Sequence, residues 1–433
     1  MKPSSRLKFI RVLVAISSIA IIAGAFVGWN ISNARAAGGF PGHFFSPYTD
    51  ITLSGPSLQS ITQSTGQKFY TLAFVDNGGG TCNAEWAGTI PFNQTSTYLP
   101  HLDSDISYIR SQGGDVAISL GGQAGQELAL TCQDPASLQA QYQRVIDTYH
   151  VTHLDFDIEG GSQGDATSYT RRNIALAGLQ RANPGLFISF TLPAATTGLL
   201  SDSLGLISNA KAEGVTVNLV NPMAFDFGSP DSMMGQEAIN SANGVFSELQ
   251  QIYPNLSSSQ LWAMIGVTVM IGQNDSPGEV LSEQQAQQVL AFAKQVNMGE
   301  LSFWEVSRDN GGCPGQSSAS PTCSGLAQGT YDFINLFKSF SGGSGGPPPT
   351  PTNTPPVTPT STHTATPTPT HTATPTPTQT PNPGVHPWDG NFHHYNIGDL
   401  VSYQNHVYKC IQAHTSEPNW DPVTVPALWQ FVS

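Results

Sequence analysis

Short apolar runs alternate with helix-like amphipathic stretches along residues 43–340 of this 433-residue chain. Eight of the runs have the length expected of buried strands. They are His43–Tyr48, Phe69–Val75, Asp115–Leu120, Val151–Asp157, Leu186–Thr191, Val215–Asn221, Leu261–Val267 and Glu300–Trp304. Two helix starts are marked between them, because Asp134 precedes Pro135 and Ser282 forms a capping box with Gln285.

This alternation predicts an α/β fold, a (β/α)8 TIM barrel that occupies residues 37–340. An open, doubly wound parallel sheet is the alternative. No glycine-rich phosphate-binding turn follows the first strand, which disfavours that alternative. Functional groups of a barrel lie at the carboxyl ends of its strands. Notable polar and aromatic residues stand at those predicted ends, namely Ser119, Asp155, Asp157, Glu159, Met223, Asp226, Gln273, Asp275 and Trp304.

Three carboxylates alternate with apolar residues in residues 154–161, which read LDFDIEGG. Successive side chains of a strand point to opposite faces, so Asp155, Asp157 and Glu159 share one face. Neighbouring carboxylates raise one another's pKa, so we expect at least one to hold a proton near neutral pH, as a general acid does. An exposed edge strand or a divalent-metal site is the alternative, and the large apolar neighbours argue against it.

The N-terminal residues 1–36 predict a secretory signal peptide. Basic residues precede an apolar run at residues 12–27, and Ala34-Arg35-Ala36 supplies a small-x-small cleavage pattern. A membrane anchor is the alternative, but the apolar run is short for a spanning helix. We therefore expect a secreted, extracellular protein without stable membrane association after cleavage.

Composition changes abruptly at Ser341. Residues 341–385 are rich first in Gly and Ser and then in Thr and Pro, which predicts a disordered linker. Residues 386–433 are rich in aromatic residues and predict a small all-β module. A module of this size cannot bury every aromatic ring, so we expect about two or three to be exposed to a sugar ligand.

The formal net charge of −14 argues against nucleic acid as a partner. Only 11% of residues are charged, which suits a neutral, hydroxyl-rich ligand. No group of His, Cys or Asp residues has the spacing of metal ligands, so we expect no metal and no cofactor. We also expect a monomer.

Disulfides are permitted in an exported chain. The expected pairs are Cys313 with Cys323 and Cys82 with Cys132, which leaves Cys410 as a buried apolar residue.

These motifs resemble glycoside hydrolase family 18, the chitinases and their relatives. The family signature D-x-x-D-x-D-x-E is matched at its last three acidic positions, and Thr152 replaces the first Asp. The similarity covers about residues 43–338. Its motifs occur in family order as Ser119–Gly122 for S-x-G-G, Thr152–Glu159 for the signature, Met223–Asp226 for M-x-Y-D, and Trp304. Residues 395–429 resemble the chitin- and cellulose-binding modules of carbohydrate-binding families 5 and 12.

The resemblance implies hydrolysis of the β-1,4 linkages of chitin and N-acetylglucosamine oligosaccharides by a substrate-assisted retaining mechanism. Glu159 would protonate the leaving oxygen, and Asp157 would orient the acetamide that attacks the anomeric carbon. Asp155 would share a proton with Asp157. The implied substrate-binding residues are Asp226, Met223, Trp304, Ser119, Gln273 and Asp275, and those of the tail are Trp420, Trp429 and Tyr403.

Phe225 and Phe227 depart from the family pattern, which places a tyrosine hydroxyl beside the Asp equivalent to Asp226. A lost transition-state hydrogen bond costs roughly 10²-fold in rate. Either another donor replaces it, such as Gln273, Asn274 or a loop tyrosine, or the enzyme is slow. Thr152 is a milder departure, and we expect it to lie deepest in the barrel.

Two other functions stay open at this point. A non-catalytic chitin-binding lectin is disfavoured because such proteins typically lose the acid equivalent to Glu159, which is present here. An endo-β-N-acetylglucosaminidase acting on glycoprotein glycans uses the same acidic motif. The chitin-type tail argues instead for an insoluble polymer.

Overall fold

The computed structural model describes two compact units of the chain, within residues 1–353 and 354–433. The described residues are 39–228, 233–341, 385–388, 394–403, 406–411, 414–416, 422 and 428–432. The predicted signal peptide lies outside them, as does nearly all of the predicted linker. In these described segments, no helix has the length and apolar character needed to cross a membrane.

The first unit alternates strands and helices along its length. Its strands are β1 (Phe44–Phe45), β2 (Tyr48–Asp50), β3 (Phe69–Asn77), β4 (Ala84–Trp86), β5 (Asp115–Gly121), β6 (His153–Asp157), β7 (Phe187–Ala195), β8 (Gly198–Leu199), β9 (Leu219–Met223), β10 (Gly266–Met270), β11 (Gly272–Gln273), β12 (Val280–Leu281) and β13 (Glu300–Trp304). Its α-helices are α1 (Leu58–Thr65), α2 (Thr95–Tyr98), α3 (Leu102–Ser111), α4 (Leu128–Thr131), α5 (Pro135–Tyr149), α6 (Gly161–Gly164), α7 (Ala166–Ala182), α8 (Ser201–Ala212), α9 (Met234–Ile252), α10 (Ser258–Ala263), α11 (Glu283–Val296) and α12 (Asp332–Phe337). Short 3-10 helices span Phe92–Gln94, Val306–Arg308 and Lys338–Phe340.

The main sheet closes into a parallel barrel, which confirms the predicted (β/α)8 fold. Its order is β1-β13-β10-β9-β7-β6-β5-β3-β2, with β4 and β8 as antiparallel additions. Because β1 and β2 are separated only by Ser46 and Pro47, they form one interrupted strand. Its first part pairs with β13 and its second part with β3, so the ring has no open edge.

Local sequence signals explain where several helices begin. The Asp134 carboxylate accepts hydrogen bonds from the backbone N–H groups of Ala136 and Ser137, as predicted for the start of α5. At α11 the Ser282 hydroxyl accepts from the Gln285 backbone. Ser257 and Gln260 form a complete capping box at α10.

Three sequence-based predictions about strands are wrong. The sixth strand was expected over Val215–Asn221, but it is β9, Leu219–Met223. The seventh strand was expected over Leu261–Val267, but Leu261 lies in α10 and the strand is β10, Gly266–Met270. The capping box of Ser257 and Gln260 starts a helix that includes the first residues of the predicted strand, so the strand begins later than expected. Thr152 was expected deepest in the barrel, but it precedes β6 and is exposed.

Both predicted disulfides are present, Cys82–Cys132 and Cys313–Cys323. The first joins segments that are 50 residues apart, after β3 and after α4. The second closes a loop after β13. Cys410, in the second unit, is buried as expected.

The second unit is built from short strands. They are β14 (Val385–Pro387), β15 (His394–Tyr395), β16 (Leu400–Tyr403), β17 (His406–Cys410), β18 (His414–Thr415) and β19 (Trp429–Phe431). One sheet has the order β14-β16-β17-β19, and β15 pairs with β18. The buried core consists of Tyr395, Val401, Tyr408, Cys410, Leu428 and Trp429.

Candidate active site

A pocket of about 220 Å³ opens at the carboxyl ends of the barrel strands. Six of the predicted site residues line it, so the structure brings these strand ends together at one pocket. The lining residues are Tyr48, Asp50, Phe74, Gln123, Ala124, Asp157, Glu159, Thr191, Met223, Phe225, Asp226, Thr268, Asp275 and Trp304.

Asp155 is buried and is held by four hydroxyl groups. Its carboxylate accepts hydrogen bonds from Ser119 and Ser189, both at 2.6 Å. It also accepts from Tyr48 at 2.7 Å and from Thr191 at 3.0 Å. Burial raises the pKa of Asp155, and the hydroxyl hydrogen bonds oppose that rise by stabilising the carboxylate.

Ser189 connects Asp155 to His153. Because Ser189 donates its proton to Asp155, its oxygen accepts from Nε2 of His153, 2.8 Å away. Burial lowers the pKa of His153 to about 3, so the ring is neutral and carries its proton on Nε2. The ring packs against Phe40 and Phe187. Because strand residues two apart share a face, His153 stands on the same face as Asp155, nearer the start of β6, where its ring packs and does not reach the pocket.

Asp157 lies in the pocket and has a pKa well above its ordinary value. Burial is the main cause, and the negative charges of Glu159, Asp155 and Asp76 add to it. In the part of the chain that the structure describes, Oδ1 of Asp157 has no hydrogen-bond partner. Hydroxyl groups occupy the Asp155 carboxylate, and proton sharing between Asp155 and Asp157 stays a prediction.

Glu159 follows β6 and reaches the pocket from a half-buried position. Burial raises its pKa to about 7, and the charge of Asp226 contributes to the rise. A carboxyl group with this pKa can give up a proton near neutral pH, as a general acid must.

The loop after β9 is fixed in place by its neighbour, the β11–β12 hairpin. Asp226 has a left-handed backbone, with φ of 54°, and accepts a hydrogen bond of 2.6 Å from the Ser276 N–H. Glu279 accepts from the N–H groups of Phe227 and Gly228. Burial raises the pKa of Asp226. These contacts hold the Asp226 carboxylate at the pocket.

Aromatic rings form another part of the pocket wall. Trp304 stacks on Phe74, with ring centroids 5.6 Å apart and planes 14° apart. Tyr48 packs against the same indole at 5.9 Å. Flat apolar surfaces of this kind suit the face of a sugar ring.

Besides Asp155, three polar residues considered in the sequence as substrate contacts do not line the pocket. Ser119 is fully buried, and its hydroxyl supports Asp155. The backbone carbonyl of Gln273 accepts a hydrogen bond from Arg308, and its side chain is not part of the pocket wall. The amide of Asn274 donates to two backbone carbonyls. The structure thus favours a supporting role for Ser119 and gives no contact role to Gln273 or Asn274.

Several residues of the site were not identified from the sequence. Tyr48 ends the first predicted strand, so the rule that functional groups lie at strand ends could have identified it. Ser189 and Thr191 reach Asp155 only because β7 pairs with β6 in register, with Ser189 opposite Asp155. Glu279 is brought to the β9 loop by the hairpin. No local pattern signals these cross-strand contacts.

The aromatic residues of the second unit differ in exposure. Trp429 is 3% exposed and packs against Tyr395, so it belongs to the core and presents no open face. Tyr403 is half-buried, with its ring against Trp388 at 5.4 Å. Trp420 lies outside the described residues.

Comparison with known proteins gives one family match and several relatives. Residues 387–430 match the family model described as carbohydrate-binding module family 5/12. The chain is 32% identical to a probable bifunctional chitinase/lysozyme of Escherichia coli, over 73% of this chain and 37% of that protein. It is 31% identical to endochitinase 11 of Metarhizium anisopliae, over 66% of this chain and 56% of that protein. The chain therefore spans between about a third and just over half of the length of these two relatives.

A solved structure covers the barrel almost completely. Active domain 2 of the thermostable chitinase from Pyrococcus furiosus, as catalytic-site mutants complexed with chito-oligosaccharides, matches with a TM-score of 0.64 and 36% identity. The match covers 71% of this chain and 97% of that one. Together with the acidic motif, the barrel and the pocket, these likenesses place the chain in the glycoside hydrolase family 18 chitinases, with a carbohydrate-binding module of family 5/12 in its second unit.

Proposed function

We propose that this protein is a secreted chitinase that hydrolyses β-1,4 linkages between N-acetylglucosamine units with retention of configuration. The observation that carries the proposal is Glu159, which lines the pocket with a pKa of about 7 beside Asp157 and Asp226. A proton-donating carboxyl group next to further carboxyl groups suits an oxocarbenium-like transition state.

In the first chemical step, Glu159 donates its proton to the oxygen of the leaving sugar. The 2-acetamido oxygen of the bound sugar attacks the anomeric carbon as the glycosidic bond breaks, which leaves a cationic oxazolinium ion. Water then opens this ring from the opposite face, and Glu159 takes back a proton from that water. Two inversions at the same carbon give overall retention.

Asp157 is suited to orient the acetamide. Its raised pKa favours the protonated carboxyl group, and its Oδ1 is without a hydrogen-bond partner in the described chain. A protonated Asp157 can donate a hydrogen bond to the acetamide. Phe225, a pocket-wall residue, adds no second donor at this position.

The surrounding residues hold and shield this chemistry. The hydroxyl groups around Asp155 favour its anionic form, which stabilises the positive charge that develops nearby. Trp304 and Phe74 offer the apolar surface beneath a sugar ring. Asp226 contacts the substrate or Glu159.

Chitin as the substrate is supported by the relatives and by the second unit. The P. furiosus domain was complexed with chito-oligosaccharides, and the family 5/12 match fits a polymeric carbohydrate. Secretion is supported by the two disulfides, which persist in oxidising compartments. We propose that the protein acts as a monomer.

The decisive experiment compares wild type with Glu159→Gln on N-acetyl-chitooligosaccharides. We expect the wild type to cleave them and the variant to lose several orders of magnitude in kcat, with binding retained. Glu237→Gln, at a half-buried position in the first turn of α9 and outside the catalytic pocket, is the matched control and should behave as wild type. A wild type that binds chitin but cleaves nothing would instead identify a lectin on a chitinase scaffold. Cleavage of glycoprotein glycans in preference to chitin would identify an endo-β-N-acetylglucosaminidase.

A further inference from the structure

Arg308 is a buried cation that takes no part in the proposed chemical steps. It ends the 3-10 helix that follows β13, and it is 2% exposed. Within the described residues, Arg308 forms no ion pair with a carboxylate. Burial of a charge without a directly paired partner is costly, so the presence of this arginine calls for an explanation.

The guanidinium group of Arg308 donates hydrogen bonds to backbone carbonyls of two separate loops. Its Nη2 donates to the carbonyl of Ile271 at 2.9 Å and to that of Gln273, where the β11–β12 hairpin begins. Its Nη1 donates to the carbonyl of Ser320 at 2.6 Å, in the loop that the disulfide after β13 closes. Arg308 therefore joins the hairpin to the disulfide loop.

The disulfide loop also contacts the hairpin directly. The N–H of Gln273 donates to the carbonyl of Ser324 at 2.8 Å, one residue after Cys323. Gly272 has a φ of 72°, and a Cβ at this position would collide with the same carbonyl oxygen. Only glycine permits so close an approach of the two backbones. The hairpin is thus held against the disulfide loop by backbone as well as by Arg308.

The hairpin in turn holds a carboxylate of the catalytic pocket. The N–H of Ser276 donates to Asp226 at 2.6 Å, and Glu279 accepts from the N–H groups of Phe227 and Gly228. Asp226 lines the pocket together with Glu159. A hairpin released from Arg308 would therefore withdraw a hydrogen bond from Asp226.

The charge of Arg308 acts on the same carboxylates. Burial lowers the pKa of Arg308, and the negative charges of Glu305, Asp275 and Asp226 oppose that fall. A guanidinium group stays protonated in proteins, so the attraction persists across the working pH range. Asp275 and Asp226 line the pocket, whereas Arg308 does not. The cation thus supports the pocket carboxylates without reaching the substrate.

We propose that Arg308 is a positioning residue, which clamps the β11–β12 hairpin to the disulfide loop and thereby holds Asp226 beside Glu159. The Cys313–Cys323 disulfide belongs to this clamp, because it closes the loop that presents the Ser320 carbonyl. The assignment rests on the proposed function for the roles of Asp226 and Glu159.

Arg308→Lys tests the clamp. Lysine keeps the positive charge but presents a single ammonium group in place of the planar fork, so it cannot bind the carbonyls of both loops. The Ser276 hydrogen bond lowers the pKa of Asp226, so its loss leaves Asp226 less ionised and less able to raise the pKa of Glu159. We expect the basic limb of the kcat/KM profile to move down by up to about one pH unit.

A double variant separates positioning from general destabilisation. If Arg308 acts through Asp226, Arg308→Lys combined with Asp226→Asn should give the same pH profile as Asp226→Asn alone. A profile shifted by the sum of the two single effects would overturn the proposal, because Arg308 would then act independently of Asp226.

The second variant, Cys313→Ser with Cys323→Ser, leaves Arg308 in place and releases the loop that carries Ser320. It remains informative if Arg308→Lys fails to fold, and we expect a smaller shift of the basic limb in the same direction. Hydrogen exchange of the full chain, followed by mass spectrometry, gives a readout besides activity. Amides of residues 227–228 and 272–281 should exchange at least about tenfold faster in both variants, the effect of losing about one hydrogen bond.

Arg110→Lys is the matched control. The Arg110 guanidinium donates to Asp115 and to the carbonyl of His150, which lie at the amino ends of β5 and β6, away from the pocket. This variant should leave the pH profile and the exchange of the hairpin unchanged.

An unmoved basic limb with unchanged hairpin exchange, in either folded variant, would overturn the clamp. The proposed function is judged separately, by cleavage of chitooligosaccharides with the wild type. If the wild type cleaves nothing, the proposed function fails and hydrogen exchange alone decides the clamp. Faster exchange of the hairpin then supports it, and unchanged exchange overturns it.

Discussion

The Ser189 hydroxyl lies 2.6 Å from Oδ1 of Asp155 and 2.8 Å from Nε2 of His153, so one serine links a buried carboxylate to a neutral imidazole. The donor order is fixed along this chain, since each hydroxyl oxygen has one proton to give. The link fixes the direction of the hydrogen bond that Ser189 donates to Asp155. Ser189 is therefore a positioning residue for the acidic group.

Ser189→Ala removes this hydrogen bond. Hydrogen bonds to charged groups contribute about 1.5–3 kcal/mol, so we expect kcat on chitooligosaccharides to fall about 10- to 100-fold with little change in KM. Steady-state kinetics checks this, with Ser208→Ala on the exposed face of α8 as the control. A fall in kcat matched by an equal rise in KM would contradict the positioning role.

The activity of the proposed enzyme should decline as pH rises through about 7. Glu159 must be protonated to act as the acid, and its pKa of about 7 is raised by burial and by the charge of Asp226. Asp226→Asn removes that charge and keeps an oxygen for the Ser276 N–H, so the pKa of Glu159 should fall. We expect the basic limb of the kcat/KM profile to move down by about one pH unit.

The control for that shift is Asp147→Asn, at an exposed position on α5. Its profile should overlie that of the wild type. An unmoved basic limb in Asp226→Asn would show that another group titrates there.

Phe225→Tyr tests the missing hydroxyl group. Phe225 lines the catalytic pocket, whereas Phe227 does not. If the transition state lacks one donor, a hydroxyl at residue 225 should raise kcat, up to about 10²-fold, and Phe227→Tyr should leave kcat unchanged. The measurement is kcat on soluble chitooligosaccharides. A lower kcat in Phe225→Tyr would indicate that Asp157 already fills the donor role.

The stability of the barrel should decrease as pH rises from about 4 to about 8. Burial raises the pKa of Asp76 to about 8, and the charge of Glu127 adds to the rise, whereas an unfolded Asp titrates near pH 4. Between these values the folded state binds more protons than the unfolded state, so its stability is greatest below pH 4 and falls until pH 8. Asp76→Asn should flatten this dependence, measured as Tm against pH.

Other buried carboxyl groups share this behaviour, so the slope should be reduced in Asp76→Asn and not abolished. Glu305, for example, has a pKa raised to about 7 by burial. Asp134→Asn, at an exposed helix cap, is the control. An unchanged slope in Asp76→Asn would show that Asp76 is ionised in the folded protein.

Deletion of residues 386–433 should weaken hydrolysis of crystalline chitin far more than hydrolysis of soluble oligosaccharides. A binding module raises the effective concentration of the enzyme only at an insoluble surface. Initial rates on both substrates test this. Equal losses on both would exclude a tethering role. Trp388→Ala, which removes one ring of the Trp388–Tyr403 pair, is the milder form of the same experiment.

Local sequence patterns predicted the barrel because its strands are largely apolar and several of its helices begin at a capping side chain. The strand Glu300–Trp304 was placed with its true bounds. The strand expected at Leu261 failed because a strong capping box starts a helix there, a local signal that an apolar run alone conceals. The acidic face was predictable, since alternation places Asp157 and Glu159 together. The hydrogen bonds from hydroxyl groups to Asp155 were not predictable from the sequence.

Ser119 illustrates that limit. Its place in the motif suggested contact with substrate, but the pairing of β5 with β6 sets Ser119 opposite Asp155. The Ser119 hydroxyl donates its hydrogen bond to the Asp155 carboxylate. Cross-strand register of this kind depends on the whole barrel, so the supporting partners of Asp155 emerged only from the folded chain.

The interrupted first strand has a consequence for biosynthesis. Ser302 donates a hydrogen bond to the carbonyl of Ser46, a residue made 256 positions earlier by the ribosome. While the intervening chain emerges, the edge that will receive β13 has nothing to pair with, and an open parallel sheet edge invites association with other nascent chains. Vectorial synthesis therefore leaves the edge of β1 without its partner until β13, the last strand of the barrel, has been made.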